Sequence, residues 1–344
     1  MIRVLIVDDS IFIRTILKDI LSAASGIEIV GSASDGEEAL RMIDELRPDA
    51  MTLDIEMPKV SGIDLLKRLK GAEYRPKILM LSSLTSKDAE STRLALSLGA
   101  DDFMLKPQDI FRVRGLQEEL VAKIRHLIEI RPAQKVMSVS DEIATHVVLF
   151  GSSAGGLQQL DRVLSALSPE MTAGVVITQH MPEGFTAALA ERFNRICPLP
   201  VHESENGHLI KKGEVIVCKA GFHSVISSIL TQDGRSGGKI VHSTAPPVHA
   251  VRPAIDKTFS SAAKAYGRNT LAVVLSGMGN DCGEGAVDVK AAGGSVFVCK
   301  EEDCLVYGMA RSALKKNSVD KVLPLADIPR EVLRTVRAME IGNV

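Results

Sequence analysis

Asp8 and Asp9 follow one short apolar run, Asp54 ends a second, Ser82 a third and Lys106 a fourth. Three carboxylates gathered at one place repel each other, and each raises the pKa of the others. A hard divalent ion with oxygen ligands, Mg²⁺ above all, relieves that crowding and suits phosphoryl transfer. An aspartate can then serve as phosphoryl acceptor. Lys106 supplies a point positive charge and Ser82 a hydroxyl donor for phosphoryl oxygens. Asp8 or Ser10 alone would suit a helix N-cap. An acidic pair, a third Asp, a hydroxyl and a lysine on four strand ends need a further reason.

The second half carries a different chemistry. Residues 151–156 read Gly-Ser-Ser-Ala-Gly-Gly between an apolar run and an amphipathic stretch. A dinucleotide fingerprint wants glycine at the first, third and sixth positions. Here the third is Ser153, and the next run ends in His180 rather than in an acidic ribose ligand. The alternative is Gly-x-Ser-x-Gly with Ser153 on a sharp strand-to-helix turn. A third run, 271–275, leads through Ser276-Gly277-Met278-Gly279-Asn280 to Asp281. Ser153, His180 and Asp281 thus follow three strands, in the chemical roles of nucleophile, general base and orienter. Their order along the chain is not that of the α/β-hydrolases.

The elements that must position these groups follow from hydrophobic periodicity. Apolar runs at 3–7, 27–33, 50–54, 77–82 and 102–106 alternate with stretches of helical spacing such as Ile13, Ile16, Leu17, Ile20 and Leu21. That rhythm predicts a flavodoxin-like (βα)5 sheet of order 2-1-3-4-5, with ligands beyond the carboxyl ends of its strands. The same α/β rhythm resumes after residue 146 and predicts a second doubly wound, mainly parallel sheet. The expected division is a first domain at 1–125, a linker at 126–145 and a second domain at 146–344, in keeping with 344 residues at ~150 per domain.

Composition removes other classes. Lys plus Arg is 41 against 43 Asp plus Glu, so no overall cationic field favours nucleic acid. With no Trp and three Tyr, base-stacking platforms are also lacking. The five cysteines form no CxxC pair and read as free thiols of a reducing compartment. No secretory signal and no apolar stretch near the ~20 residues of a membrane helix is visible, so a cytoplasmic protein that is not membrane-embedded is expected. His202, His208, His223, His242 and His249 lack metal-ligand spacing and are expected to face solvent or meet local carbonyls. Cys282 is expected to be a small packed residue, and Pro253 to stand near the first position of a helix, with Arg252 a candidate substrate contact.

With these residues in view, the first half resembles a response-regulator receiver domain, through Val7-Asp8-Asp9-Ser10, Asp54-Ile55-Glu56-Met57-Pro58 with Gly62, Ser82 and Lys106-Pro107. The resemblance implies Asp54 as phosphorylation site, Asp8, Asp9 and Asp54 at a Mg²⁺ ion with a carbonyl near Glu56, and Ser82 and Lys106 as switch partners. The second half resembles the protein-glutamate methylesterases of bacterial chemotaxis. The matches are residues 151–156, Gln179-His180-Met181-Pro182 with Gly184-Phe185-Thr186, Arg252-Pro253 with Asp256, residues 277–281 and Gly308-Met309. That family implies Ser153 as nucleophile, His180 as base, Asp281 as its partner and a backbone N–H near Met278 in the oxyanion hole, with no cofactor for the esterase. It also implies glutamine deamidation, a methyl-accepting chemoreceptor as substrate and a histidine kinase as phosphodonor. Cys282 stands where the family has Gly, Cys218-Lys219 where it has Ala-Pro, and Ala310 where it has Pro. The runners-up are a signalling adaptor with an inactive hydrolase domain, and an esterase for a divergent receptor. Because the linker is short, the unphosphorylated receiver is expected to obstruct the hydrolase. Deleting residues 1–140 should then raise esterase turnover; an isolated second domain no faster than the unphosphorylated full chain would sink that idea.

Overall fold

The computed structural model describes residues 1–82, 94–96, 98–106, 113–129, 140–231 and 233–341; of Ser82 it describes the backbone alone, and the other expected site residues are described with their side chains. Pro107 and most of the helix expected between the fourth and fifth strands lie outside the described residues. The chain divides into two compact units, Met1–Arg131 and Pro132–Val344.

In the first unit the strands are β1 (Ile2–Val7), β2 (Ile27–Ala33), β3 (Ala50–Asp54), β4 (Lys77–Ser82) and β5 (Asp102–Leu105). They form one parallel sheet of order β2-β1-β3-β4-β5. Helices α1 (Ile11–Ser22), α2 (Gly36–Leu46), α3 (Gly62–Leu69) and α4 (Val113–Glu129) accompany it. Ser10 caps α1 by accepting from the Ile13 N–H at 3.4 Å, so the residue after the acidic pair turns the chain into its helix. Val4 and Ile6 of β1 pack with Leu17 and Leu21 of α1 and with Ile124 and Leu127 of α4. The last helix of this unit, expected over residues 115–128, runs to Glu129 with Leu127 buried, so the expected domain end at residue 125 falls inside it.

The second unit holds β6 (Val147–Ser152), β7 (Gly174–Gln179), β8 (Val201–Glu203), β9 (Val215–Val217), β12 (Thr270–Val274), β13 (Ser295–Cys299) and β14 (Lys321–Leu323). Their order is β14-β13-β12-β6-β7-β9-β8, and every neighbouring pair is parallel. Helices α5 (Gly156–Ser165), α6 (Thr186–Ile196), α7 (Ile255–Tyr266), α8 (Gly283–Ala291), α9 (Gly308–Lys315) and α10 (Ile328–Ile341) join the strands. An antiparallel hairpin, β10 (His223–Leu230) with β11 (Ser236–Ser243), forms a sheet of its own. Residues 140–145, expected in the linker, are tied to this unit: Ala144 N–H donates to the Ile210 carbonyl at 2.9 Å, and Asp141 pairs with Lys211 at 2.9 Å.

β6 lies between β7 and β12, so the chain leaves β6 toward one side of the sheet and later returns on the other. Such a reversal opens a crevice at the carboxyl ends of the strands. α7 is seated beneath it by Phe259, which is fully buried; a Cβ on Gly151 of β6 would come within 3.1 Å of its ring. Phe259→Ala should destabilise the second unit by about 3–5 kcal/mol, read as an earlier denaturant midpoint. An unchanged midpoint would mean that α7 is not held by this contact.

Candidate active site

Ser153, His180 and Asp281 come from the ends of β6, β7 and β12, three adjacent strands. The ladder carries each chain just past its strand in register: His180 N–H donates to the Ser152 carbonyl at 3.0 Å, and Ser153 N–H to the Ser276 carbonyl at 2.9 Å. His180 Nε2 then lies 2.7 Å from Asp281 Oδ2. Ser153 Oγ makes no hydrogen bond to His180, as is common before substrate binds.

Asp281 is buried, and backbone donors surround it. Its Oδ2 accepts from Ile255 N–H at 2.6 Å, and its Oδ1 from Asp256 N–H at 2.9 Å and Cys282 N–H at 3.0 Å. Two of these donors are at the N-terminus of α7, where the helix dipole favours an anion. Burial opposes ionisation of Asp281, but the hydrogen bonds from His180 and from the Asp256 and Ile255 N–H groups outweigh it and hold the carboxyl below its usual range. An ionised Asp281 accepts only, so the imidazole proton sits on Nε2 and the lone pair on Nδ1.

The serine turn is built from small residues. Gly155, at φ +76°, is the N-cap of α5, and a Cβ there would meet Leu305 Cβ at 2.5 Å. A Cβ on Gly277 would stand 2.1 Å from Met309 Sδ and 3.0 Å from Ser153 Cβ. Met278 follows directly; its side chain is exposed, and its N–H donates to no group among the described residues.

In the first unit, Asp8, Asp9 and Asp54 present carboxylate oxygens within 4.8 Å of one another. Lys106 Nζ bridges Asp8 Oδ2 at 2.9 Å and Asp54 Oδ2 at 2.6 Å. Burial pushes the Asp54 carboxyl up to about 6, against the hydrogen bond from Lys106, with the charges of Asp8 and Asp9 adding to the rise. Three oxygen donors holding more negative charge than one lysine offsets fit a hard divalent ion.

The CheB methylesterase family profile matches residues 148–332, and that of the response regulator receiver domain residues 4–116. A protein-glutamate methylesterase/protein-glutamine glutaminase of Methanospirillum hungatei is 54% identical over 340 residues, 98% of this chain and 99% of its own length. The chain belongs to the CheB methylesterase family. A relative of the same description from Thermotoga maritima is 37% identical over 97% of this chain and 98% of its own. The crystal structure of the Thermotoga maritima CheB methylesterase catalytic domain aligns with a TM-score of 0.52 at 36% identity, covering 55% of this chain and 97% of that one.

Against this family background the departures acquire physical content. Cys282 has φ +87° as N-cap of α8, a conformation that glycine adopts without strain. Its side chain is fully buried, with Sγ 3.4 Å from the Met309 carbonyl, and burial pushes the thiol well up; it packs, as expected, rather than reacts. Ala310 is buried within α9, and Lys219 lies 3.4 Å from Glu203. Pro253 precedes the N-cap of α7, Ala254, rather than occupying its first turn, and Arg252 donates to the Thr244 and Ala245 carbonyls.

The contacts of several residues around the site escaped the sequence reading. Gln179 Nε2 donates to the carbonyls of Ser153 at 3.3 Å and His180 at 2.9 Å. Gln159 Oε1 accepts from Ser276 N–H at 2.6 Å, and Ser276 Oγ donates to the Ala154 carbonyl at 2.7 Å. A polar Gln159 on the apolar face of α5 was the available signal. Among the five histidines set aside, His223 does meet a carbonyl, that of Pro246 at 3.0 Å. His242 meets Ser204 at 2.9 Å and His249 meets Asp256 at 3.1 Å, while His202 and His208 meet each other and Glu214. The partners of His223 and His242 lie 23 and 38 residues away in sequence, which spacing does not reveal.

With its pKa raised from 3.8 to about 6, Asp54 binds more protons folded than unfolded between those values, so it lowers stability as pH rises through them. In Mg²⁺-free buffer, Asp54→Asn should gain on the wild type from about pH 4 to about pH 6, measured by paired urea titrations. A constant difference across that window would mean that Asp54 titrates normally.

Proposed function

We propose that this chain is a phosphorylation-activated serine esterase that hydrolyses glutamate methyl esters on chemoreceptors and deamidates glutamine in the same site. The observation that carries the reading is the 2.7 Å contact of His180 Nε2 with a buried, ionised Asp281, one strand away from the Ser153 turn. That contact leaves Nδ1 of His180 as the basic nitrogen.

Ser153 Oγ attacks the ester or amide carbonyl while His180 Nδ1 takes its proton. Asp281 keeps Nε2–H in place and stabilises the imidazolium that forms. The tetrahedral oxyanion requires preorganised donors, and the unengaged Met278 N–H on the loop that touches Ser153 suits that role. His180 returns the proton to the leaving methanol or ammonia, and water then hydrolyses the acyl-enzyme by the reverse sequence of proton transfers. The proposed chemistry uses side chains and backbone N–H groups alone.

In the receiver, Asp54 is the proposed phosphoryl acceptor, with a histidine kinase as donor. Asp8, Asp9 and Asp54 would hold Mg²⁺, which when bound supplies positive charge against the phosphoryl oxygens. Lys106 already bridges Asp8 and Asp54, so it stands ready to pair with the phosphorylated side chain, and Ser82 is proposed as its hydroxyl partner. No helix among the described residues is long and apolar enough to cross a membrane. The cytoplasm, where kinase and receptor tails meet, is the proposed site of action, and the free cysteines suit its reducing conditions.

Methanol release from a methylated chemoreceptor cytoplasmic fragment tests the reading. Ser153→Ala should lower release roughly ten-thousand-fold or more. A small phosphodonor with Mg²⁺ should stimulate the wild type and leave Asp54→Ala at its basal rate. No release under any condition, with Asp54 still phosphorylated, would favour an esterase for a divergent receptor or the adaptor.

A further inference from the structure

We infer that His202, His208 and Glu214 bind one divalent transition-metal ion of the Zn²⁺ class at the edge of the catalytic sheet. None of the three belongs to the sites described above. They stand six residues apart in sequence, on edge strand β8, on the loop after it and just before β9.

The geometry points to a cation at their centre. His202 Nε2 and His208 Nε2 are 3.3 Å apart; His208 Nε2 is 3.1 Å from Glu214 Oε1, and His202 Nε2 is 3.3 Å from Glu214 Oε2. Zn²⁺ binds imidazole nitrogen and carboxylate oxygen at about 2.0–2.2 Å, so neighbouring vertices of its tetrahedron lie about 3.3–3.6 Å apart. Hydrogen bonding alone accounts poorly for the triangle. Each Nε2 has one proton or one lone pair, yet each faces the other nitrogen and a carboxylate oxygen. If both are protonated, two donors oppose one another; if either is not, its lone pair faces those of the carboxylate. A central cation makes all three groups lone-pair donors.

The surroundings fit as well. Glu214 is 2% exposed, His208 21% and His202 37%, so the carboxylate is buried while both imidazoles keep access to solvent. Lys211 N–H donates to Glu214 Oε1 at 2.5 Å and fixes the carboxylate from behind. Two imidazoles and a carboxylate select Zn²⁺, Co²⁺ or Ni²⁺ over Mg²⁺. Bound there, the ion would clamp β8, its following loop and the entry to β9.

The test is a Co²⁺ titration of the untagged full-length chain, with Mg²⁺ in large excess to occupy the receiver carboxylates. One equivalent should bind with the intense visible absorption of a low-coordinate Co²⁺ site, and Zn²⁺ should displace it. The partly exposed His202→Gln should weaken binding by roughly a hundred-fold or more, with its thermal melt in metal-free buffer checking the fold. Asp54→Ala should bind as the wild type does. Absence of those bands, binding lost with Asp54, or a His202→Gln chain as tight as the wild type would overturn the assignment.

Discussion

A carboxylate taken out of water needs donors to replace its hydration, and the catalytic unit is arranged around meeting that demand at Asp281. Three backbone N–H groups and one imidazole converge on its two oxygens. Two of the N–H groups belong to α7, so the helix must stand with its N-terminus at the carboxyl ends of β6 and β12. Phe259, packed beneath Gly151, seats the helix there. The charge so stabilised sets the imidazole tautomer, with the proton on Nε2 and the lone pair on Nδ1. Its neighbour shows the converse: burial and the charge of Asp281 push Asp256 up, against the Gly285 N–H that donates to it at 2.7 Å. Environments that drive two nearby carboxyls in opposite directions are a mark of acid–base sites.

The receiver unit handles the same problem differently. There Asp54 has Lys106 as its cation and two further carboxylates beside it, and its carboxyl is pushed up rather than down. One site satisfies its anion with fixed protein dipoles and is therefore preorganised. The other carries a surplus of negative charge, which a cation and a covalent group can relieve. A built-in imbalance of this kind lets a ligand shift the balance between two states.

The strand ends were legible from the sequence, and with them most of the site. Parallel strands buried on both faces read as continuous apolar runs, and side chains just beyond them fall at one rim; Asp8, Asp54, Ser153, His180 and Asp281 were all found that way. The hairpin β10–β11 was not, because its stability comes from packing Ile226 and Ile240 into the core that holds Phe259, a contact between segments far apart in sequence. The contacts of Gln159, Gln179 and Ser276 were missed for a related reason: each acts through a backbone group, and backbone groups leave no trace in residue type. The cluster at His202 looked like unrelated histidines until a sheet edge and a loop brought it together.

What the sequence by itself determined is the alternating α/β rhythm of each half, the two-unit plan and the residue types at the ends of the strands it revealed. Periodicity and local capping are short-range properties, carried by neighbouring residues. Only the tertiary structure decided that His180 offers Nε2 to Asp281, that Asp281 is ionised by the N-terminus of α7, that Cys282 tolerates a left-handed φ, and that Glu214 lies beneath two imidazoles. These depend on distances and burial among groups that the fold brings together, most of them tens of residues apart in sequence. Electrostatics in a low-dielectric interior is set by that arrangement in space rather than by order along the chain.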